Sequence, residues 1–292
     1  MKKKGLIFIL SAFSALSLAQ ENNNLKNNYG YSYITFGVEN VTYKETFPGA
    51  NSEVSISSPI LNTGGLYRIN DTFDFSIDAL ATFSPQSSVE TWASDSGSVY
   101  QENNLEYMKA ATNILVHYKL TPTWRIITGP SLTYQTYTRS DKNTLDNSTI
   151  DTENDVYREG ETWEESSTDI YLDVGIAYDT GTLYSSNSKW HQQIKVAVGV
   201  PLWSQTENSR FSGTTFNDTG YRAYVDSSIS YKIFKGLHLG WYIQYAYEKR
   251  FEADPQTVYY RNLDGELQSG QGWLPEADTY SFSTGLQILW KL

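Results

Sequence analysis

Apolar and polar residues alternate along this chain in long runs, and such runs recur ten times. The last is the plainest. Tyr280, Phe282, Thr284, Leu286, Ile288, Trp290 and Leu292 share one face; Ser281, Ser283, Gly285, Gln287, Leu289 and Lys291 share the other. A period of two is that of a β-strand, whose successive side chains point to opposite sides. Strands of soluble sandwiches average ~5–6 residues. These runs approach the ~9–11 that a tilted strand needs to cross a bilayer. One greasy and one wet face on every strand predicts lipid outside and a polar interior. Open strand edges cannot survive in lipid, so the strands must close on themselves.

The first two strands are expected at about 29–43 and 54–69, with Pro59 marking a bulge or a membrane-edge position. The third alternates Phe73, Phe75, Ile77, Ala79, Ala81 and Phe83 against Asp74, Ser76 and Asp78. After a polar loop to about 104, the fourth ends at Leu120. The fifth starts at Trp124 and is followed by a loop at about 140–165. The sixth carries Ile170, Leu172, Val174, Ile176 and Tyr178, and a medium turn covers 180–189. The seventh starts at Trp190; a loop at about 204–220 precedes the eighth, which starts at Tyr221. The ninth starts at Leu237, and a last loop at about 250–277 leads to the closing strand. Tight turns (Asn70 and Asp71; 121–123; Lys235 and Gly236) thus alternate with long polar loops. The predicted fold is all-β: a ten-stranded antiparallel transmembrane β-barrel, a meander with short periplasmic turns and long extracellular loops. Both termini then face the periplasm. Tyr67, Phe73, Tyr118, Trp124, Tyr178, Trp190, Tyr231 and Trp290 gather at the turn ends of the outward faces as a lower aromatic belt.

Residues 1–19 read as a signal peptide: Lys2, Lys3 and Lys4, a short apolar run, and Ser17, Leu18 and Ala19 before Gln20. Residues 20–28 read as a flexible, Asn-rich segment and 29–292 as one barrel domain. There is no Cys, so neither a lipid-modified cysteine nor a disulfide enters the argument. Losing Lys2, Lys3 and Lys4 takes the formal charge from −11 to −14, which excludes nucleic acid as an expected partner. A mean hydropathy of −0.47 does not argue against a membrane, because alternating strands average to an unremarkable value. The expected location is the cell outer membrane. The expected partners are its lipid and lipopolysaccharide, the barrel-assembly machinery through the C-terminal strand, and an extracellular ligand at the loops.

On the inward faces, Arg68, Asp74, Asp78, Arg125, Asp173, Lys195, Arg222 and Asp226 form a lumen cluster of both signs, joined by Lys232 and Glu248. It reads either as a salt-bridged filling or as the lining of a path. About eight strands are just filled by side chains and open channels need about 16–18, so ten strands favour the filling. Ten strands, five long loops and about 270 mature residues resemble the omptin family of outer-membrane proteases. That resemblance implies a pair of Asp near the second external loop and an Asp-His pair near the fourth. Region 85–104 offers Glu90 and Asp95 but no pair of Asp, and region 204–220 offers Glu207 without His, so no catalytic residue carries over. His117, His191 and His238 have inward parity near short turns and read as lumen residues. Asp151, Glu153 and Asp155 have the alternate spacing of a calcium loop, but Val156 stands where that loop needs Gly. No catalytic, cofactor or metal site is assigned. The expected function is a non-enzymatic surface or structural barrel with interaction-bearing loops; the alternatives are a narrow pore for small solutes and an omptin-like hydrolase with a rearranged site.

Overall fold

A computed structural model describes residues 30–145, 160–180, 189–211, 213–261 and 265–292. The expected signal peptide, the segment 20–28 and the Asp151, Glu153 and Asp155 spacing lie outside the described residues. Ten strands form a closed ring: β1 (Gly30–Phe47), β2 (Ala50–Arg68), β3 (Phe73–Thr82), β5 (Val99–Lys119), β6 (Trp124–Thr144), β7 (Trp163–Asp179), β8 (Trp190–Asn208), β10 (Gly220–Phe234), β11 (Leu237–Arg250) and β14 (Glu276–Lys291). Each pairs antiparallel with its neighbour in the chain, and β1 closes on β14 from Tyr31 opposite Lys291 to Thr46 opposite Glu276. Four shorter strands lie on the external side: β4 (Gln86–Ser94), β9 (Thr215–Phe216), β12 (Gln256–Arg261) and β13 (Leu267–Gly272).

The outward residues of the lower two-thirds of the ring are apolar and exposed. Val198 is 60% exposed and Leu286 55%, although both sit mid-strand, which is the signature of a lipid-facing surface. Phe73 and Tyr118, Trp124 and Tyr178, and Trp190 and Tyr231 meet pairwise in tilted or edge-on contact, with ring centroids 5.5, 5.1 and 4.9 Å apart, along the lower edge. Tyr221, Tyr247 and Tyr280, at 5.8 and 5.0 Å, together with Trp203, mark the upper edge. The membrane-spanning part of β7 is therefore bounded by Ile170 and Tyr178, and that of β8 by Trp190 and Trp203. Pro59 lies at this upper edge: opposite Val38 it pairs in register without a bulge, and its carbonyl accepts from Phe83 N at 3.3 Å.

The expected loops are shorter than the sequence reading gives. Region 85–104 holds all of β4 and the start of β5; β6 runs on to Thr144, β8 to Asn208, and 250–277 holds the β12–β13 hairpin. The reason is that the outer solvent changes above the bilayer. There the outward residues turn polar (Glu102, Asn104, Glu106) while the inward ones stay buried (Gln101, Asn103, Leu105, Tyr107). The segments are polar in composition yet remain strands.

Glycine permits the closest approach at the closing seam. Gly37 faces Gly285 across β1 and β14, and a Cβ on Gly37 would lie 2.2 Å from the Thr284 carbonyl oxygen. Gly37→Val should destabilise the barrel by about 1–3 kcal/mol, the usual range for overpacking. Urea unfolding in detergent, read by heat-modifiable electrophoresis, checks this; an unshifted midpoint would refute the seam geometry.

Candidate functional site

Alternation fixes which side chains enter the lumen, and the ring then stacks them in layers. In the lowest layer Arg125 Nε donates to Asp74 Oδ2 at 3.1 Å, and Lys119 Nζ lies 2.6 Å from Asp74 Oδ1. His191 Nε2 and Tyr31 OH meet Asp179 at 3.0 and 3.3 Å. His117 pairs with Ser76 and His238 with Ser230. Arg68 turns to Asp71 in the adjacent turn. The next layer crosses the barrel: Lys195 Nζ on β8 reaches Asp78 on β3 at 2.8 Å and Asp226 on β10 at 3.3 Å. Arg222 grips Asp173 and lies over the Tyr171 ring at 4.6 Å. The eight lumen charges named from parity thus fall into three groups: Asp74 with Arg125, the Lys195 triad with the Arg222 pair, and Arg68 apart at the mouth.

Above them lies a cavity of about 60 Å³, lined among others by Tyr33, Lys109, Tyr224, Tyr242 and Gln287. That is room for a few waters, each needing ~10–15 Å³ on this measure. A polar bar closes its top: Gln135 Nε2 donates to both Glu248 oxygens at 3.1 Å, and Tyr171 OH donates to Oε1 at 2.9 Å. A second cavity, about 30 Å³, sits above the bar beside Asp169, Ser204 and Asp218.

The roof lies outside the bilayer. Arg139 Nε and Nη2 each donate to Glu90 at 2.8 Å, and Nη2 also reaches Glu45 at 3.0 Å. Arg250 meets Glu165 at 2.6 Å and Glu45 at 3.2 Å. The stacked Tyr43 and Tyr137 rings, 4.1 Å apart, support this network from within an apolar cluster with Val41, Val54, Ile56, Leu105 and Tyr107. Burial raises the Glu90 carboxyl, but the Arg139 guanidinium outweighs it and holds the group below the usual carboxylate range. At Glu45 burial wins and the direction is up. Just above the bilayer edge, burial pushes Asp169 up to about 7, with the Glu248 charge adding to the effect.

Sequence parity reaches the lower layers but stops short of the roof. Glu45, Arg139 and Arg250 continue the inward series of Tyr43, Tyr137 and Glu248, so the signal was present two residues on. Asp218 had no such signal, because it lies between strands. Among the omptin-region residues, Glu90 is fully buried on Arg139, while Asp95 and Glu207 face out. Among the described residues no group of three or more His, Cys, Asp or Glu is arranged to hold a metal ion.

Neither a family model nor a curated protein matches the sequence. Solved structures do. The outer membrane protease OmpT from Escherichia coli superposes with a TM-score of 0.64 at 10% identity, covering 93% of this chain and 99% of that one. The chain has the fold of the bacterial outer-membrane β-barrels. At 10% identity the likeness to OmpT is one of fold alone. The transport unit of the autotransporter AIDA-I from Escherichia coli and OprG from Pseudomonas aeruginosa also match. Their TM-scores are 0.38 and 0.37 at 10% and 9% identity. They cover 95% and 91% of this chain and 96% and 97% of theirs.

Two outcomes follow. Arg139→Met leaves Glu45 and Glu90 buried with a lost partner and should cost about 3–5 kcal/mol in urea unfolding, the range for breaking one side of a buried ion pair. A cost under about 1 kcal/mol would match an exposed pair and contradict the roof. Asp169 has its folded-state pKa raised from 3.8 to about 7. Its contribution is full below the unfolded value and is lost as pH rises through about 7. The stability difference between wild type and Asp169→Asn should therefore shift against wild type between about pH 4 and 7. A difference that stays flat would refute the assignment.

Proposed function

We propose that this chain is an integral outer-membrane protein, exported by a cleaved signal peptide. Its barrel serves as a rigid scaffold for an external interaction surface rather than as a conduit. The observation that carries the reading is the filling of the lumen by ion pairs at successive heights: Arg125 with Asp74, Lys195 with Asp226 and across the ring to Asp78, and Arg139 with Glu90 and across the ring to Glu45. A moving solute would have to break each of them, at the cost of leaving charges without partners in a poorly hydrated interior.

The external elements support the other half of the reading. Phe216, Ala253, Val258 and Leu274 form an apolar cluster of their own, with Phe211 and Tyr260 packed on it. The region above the bilayer is thereby a folded surface, and surface segments carried on a rigid scaffold are where recognition usually sits. The β12–β13 hairpin turns Tyr259 and Leu267, 49% and 59% exposed, to the outside. In this reading the closing strand is what the assembly machinery engages, and the lipid face meets lipopolysaccharide in the outer leaflet.

Planar-bilayer recording on refolded protein separates the scaffold from a narrow pore. The scaffold predicts no conductance steps above the lipid baseline. Steady ohmic steps that scale with protein added would replace it with the pore.

A further inference from the structure

The ladder between β8 and β10 is incomplete. It runs from Trp190 opposite Tyr231 up to Gly199 opposite Arg222. It resumes only where Thr206 meets Phe216 of β9. Among the described residues no ladder pair joins 200–205 to 217–221. A register shift between Ile170 and Tyr171 on the neighbouring strand leaves Leu202 without a partner there, so Leu202 and Trp203 both face out beside the gap. The 30 Å³ cavity lies directly behind, with Pro201, Ser204, Asp218 and Gly220 among its lining.

Side chains bridge what the backbone leaves open. Asp218 comes from the irregular segment before β10; its Oδ2 accepts from Thr206 Oγ1 at 2.8 Å, and its Oδ1 meets Ser204 Oγ. The same Ser204 Oγ lies 2.5 Å from Asp169 Oδ1, and Asp169 Oδ2 accepts from Ser167 Oγ at 2.8 Å. One hydroxyl thus stands between two carboxyl groups. It has one hydrogen to donate. The second short contact needs a hydrogen of its own, and only a carboxyl can supply it.

We propose that Asp169, Ser204 and Asp218 form a proton latch that holds the segment before β10 against β8 while the pair carries a proton, and lets it go when the proton leaves. With both carboxylates ionised, one Ser204 contact becomes oxygen against oxygen, and two like charges face each other across it. Asp169 is fixed in β7, so Asp218 is the partner that moves, and the outer cavity opens to the external side. The groups facing the pair set the working range. They are Tyr171 from β7, Tyr137 from β6, Tyr43 from β1, and Glu248 and Arg250 from β11; Lys249 turns outward to Glu276 and Asp278. The tyrosines stay neutral, Glu248 favours keeping the proton, and Arg250 opposes it. The raised Asp169 value puts the change near neutrality. The Glu248 bar below does not depend on the latch, so a released latch opens a blind vestibule.

The chain has no Cys, so single cysteines report cleanly. Ala277→Cys places a thiol on the buried back wall of the outer cavity, and Ser269→Cys places a reference thiol on the exposed hairpin. Reaction with a small neutral methanethiosulfonate is followed in both, on folded protein verified by heat-modifiable migration. The Ala277→Cys rate relative to the reference should rise about tenfold between about pH 5.5 and 8.5, the weight of one lost hydrogen bond. In the Asp218→Asn background, where the amide supplies the missing hydrogen, the ratio should stay low at both values. Asp169→Asn should do the same and serves if the first variant does not fold. A ratio independent of pH in the parent chain overturns the proposal, as does a rise that survives both substitutions.

Discussion

The rest of the structure depends on one constraint: in hydrocarbon a backbone N–H or C=O must find its partner within the protein. A sheet with two edges fails that test, and a closed one passes. Here closure falls on β1 and β14, the two ends of the domain, so the first and last strands are the pair the fold cannot do without. Gly37 and Gly285 let their backbones approach at mid-seam. Once the ring is closed, every second side chain is committed to the interior, and a ring of ten leaves little room there. The interior composition is then a packing problem in charges: each Arg or Lys entering a crowded, poorly hydrated lumen needs a carboxylate, and the layers found are the solution.

Those layers differ in what surrounds them. The lower ones sit within the bilayer and mix ion pairs with His117, His191 and His238, each on a hydroxyl or carboxylate. The roof sits above it and rests on an aromatic cluster, so among the described residues buried charge closes the barrel's external mouth. Between them the Glu248 bar separates two small cavities. Cross-strand pairs four positions apart around the ring, such as Lys195 with Asp78, brace the cylinder across its width. The same arrangement that makes the interior narrow makes it stiff.

Much of this was legible in the residues. The ten strands, the tight turns and the lower aromatic belt follow from period-two alternation and turn chemistry, which are local. Parity also assigned Asp74, Asp78, Arg125, Asp173, Lys195, Arg222 and Asp226 to the interior, because an inward residue is inward wherever the neighbouring strand stands. Which of them meet is a matter of strand tilt and register, and no single sequence carries that. Region 85–104 resembles a loop in composition wherever an apolar outer face is the mark of a strand. Above the bilayer that face meets water, and strand and loop become alike in composition. Asp218 was invisible for a different reason: it acts from between strands, where alternation says nothing.

The central claim is that the barrel's first and last strands pair in lipid to seal the ring. Val38 and Thr284 face each other across β1 and β14. The most direct measurement replaces both with cysteine and tests for an intramolecular disulfide in protein refolded into vesicles. A closed ring predicts that mild oxidation links the two rapidly within one chain and that unfolding in urea before oxidation abolishes the link, while Val38→Cys paired with Thr112→Cys, on β5 three strands away round the ring, forms none. No link at 38 and 284 in folded, membrane-inserted protein would contradict the closure and everything built on it.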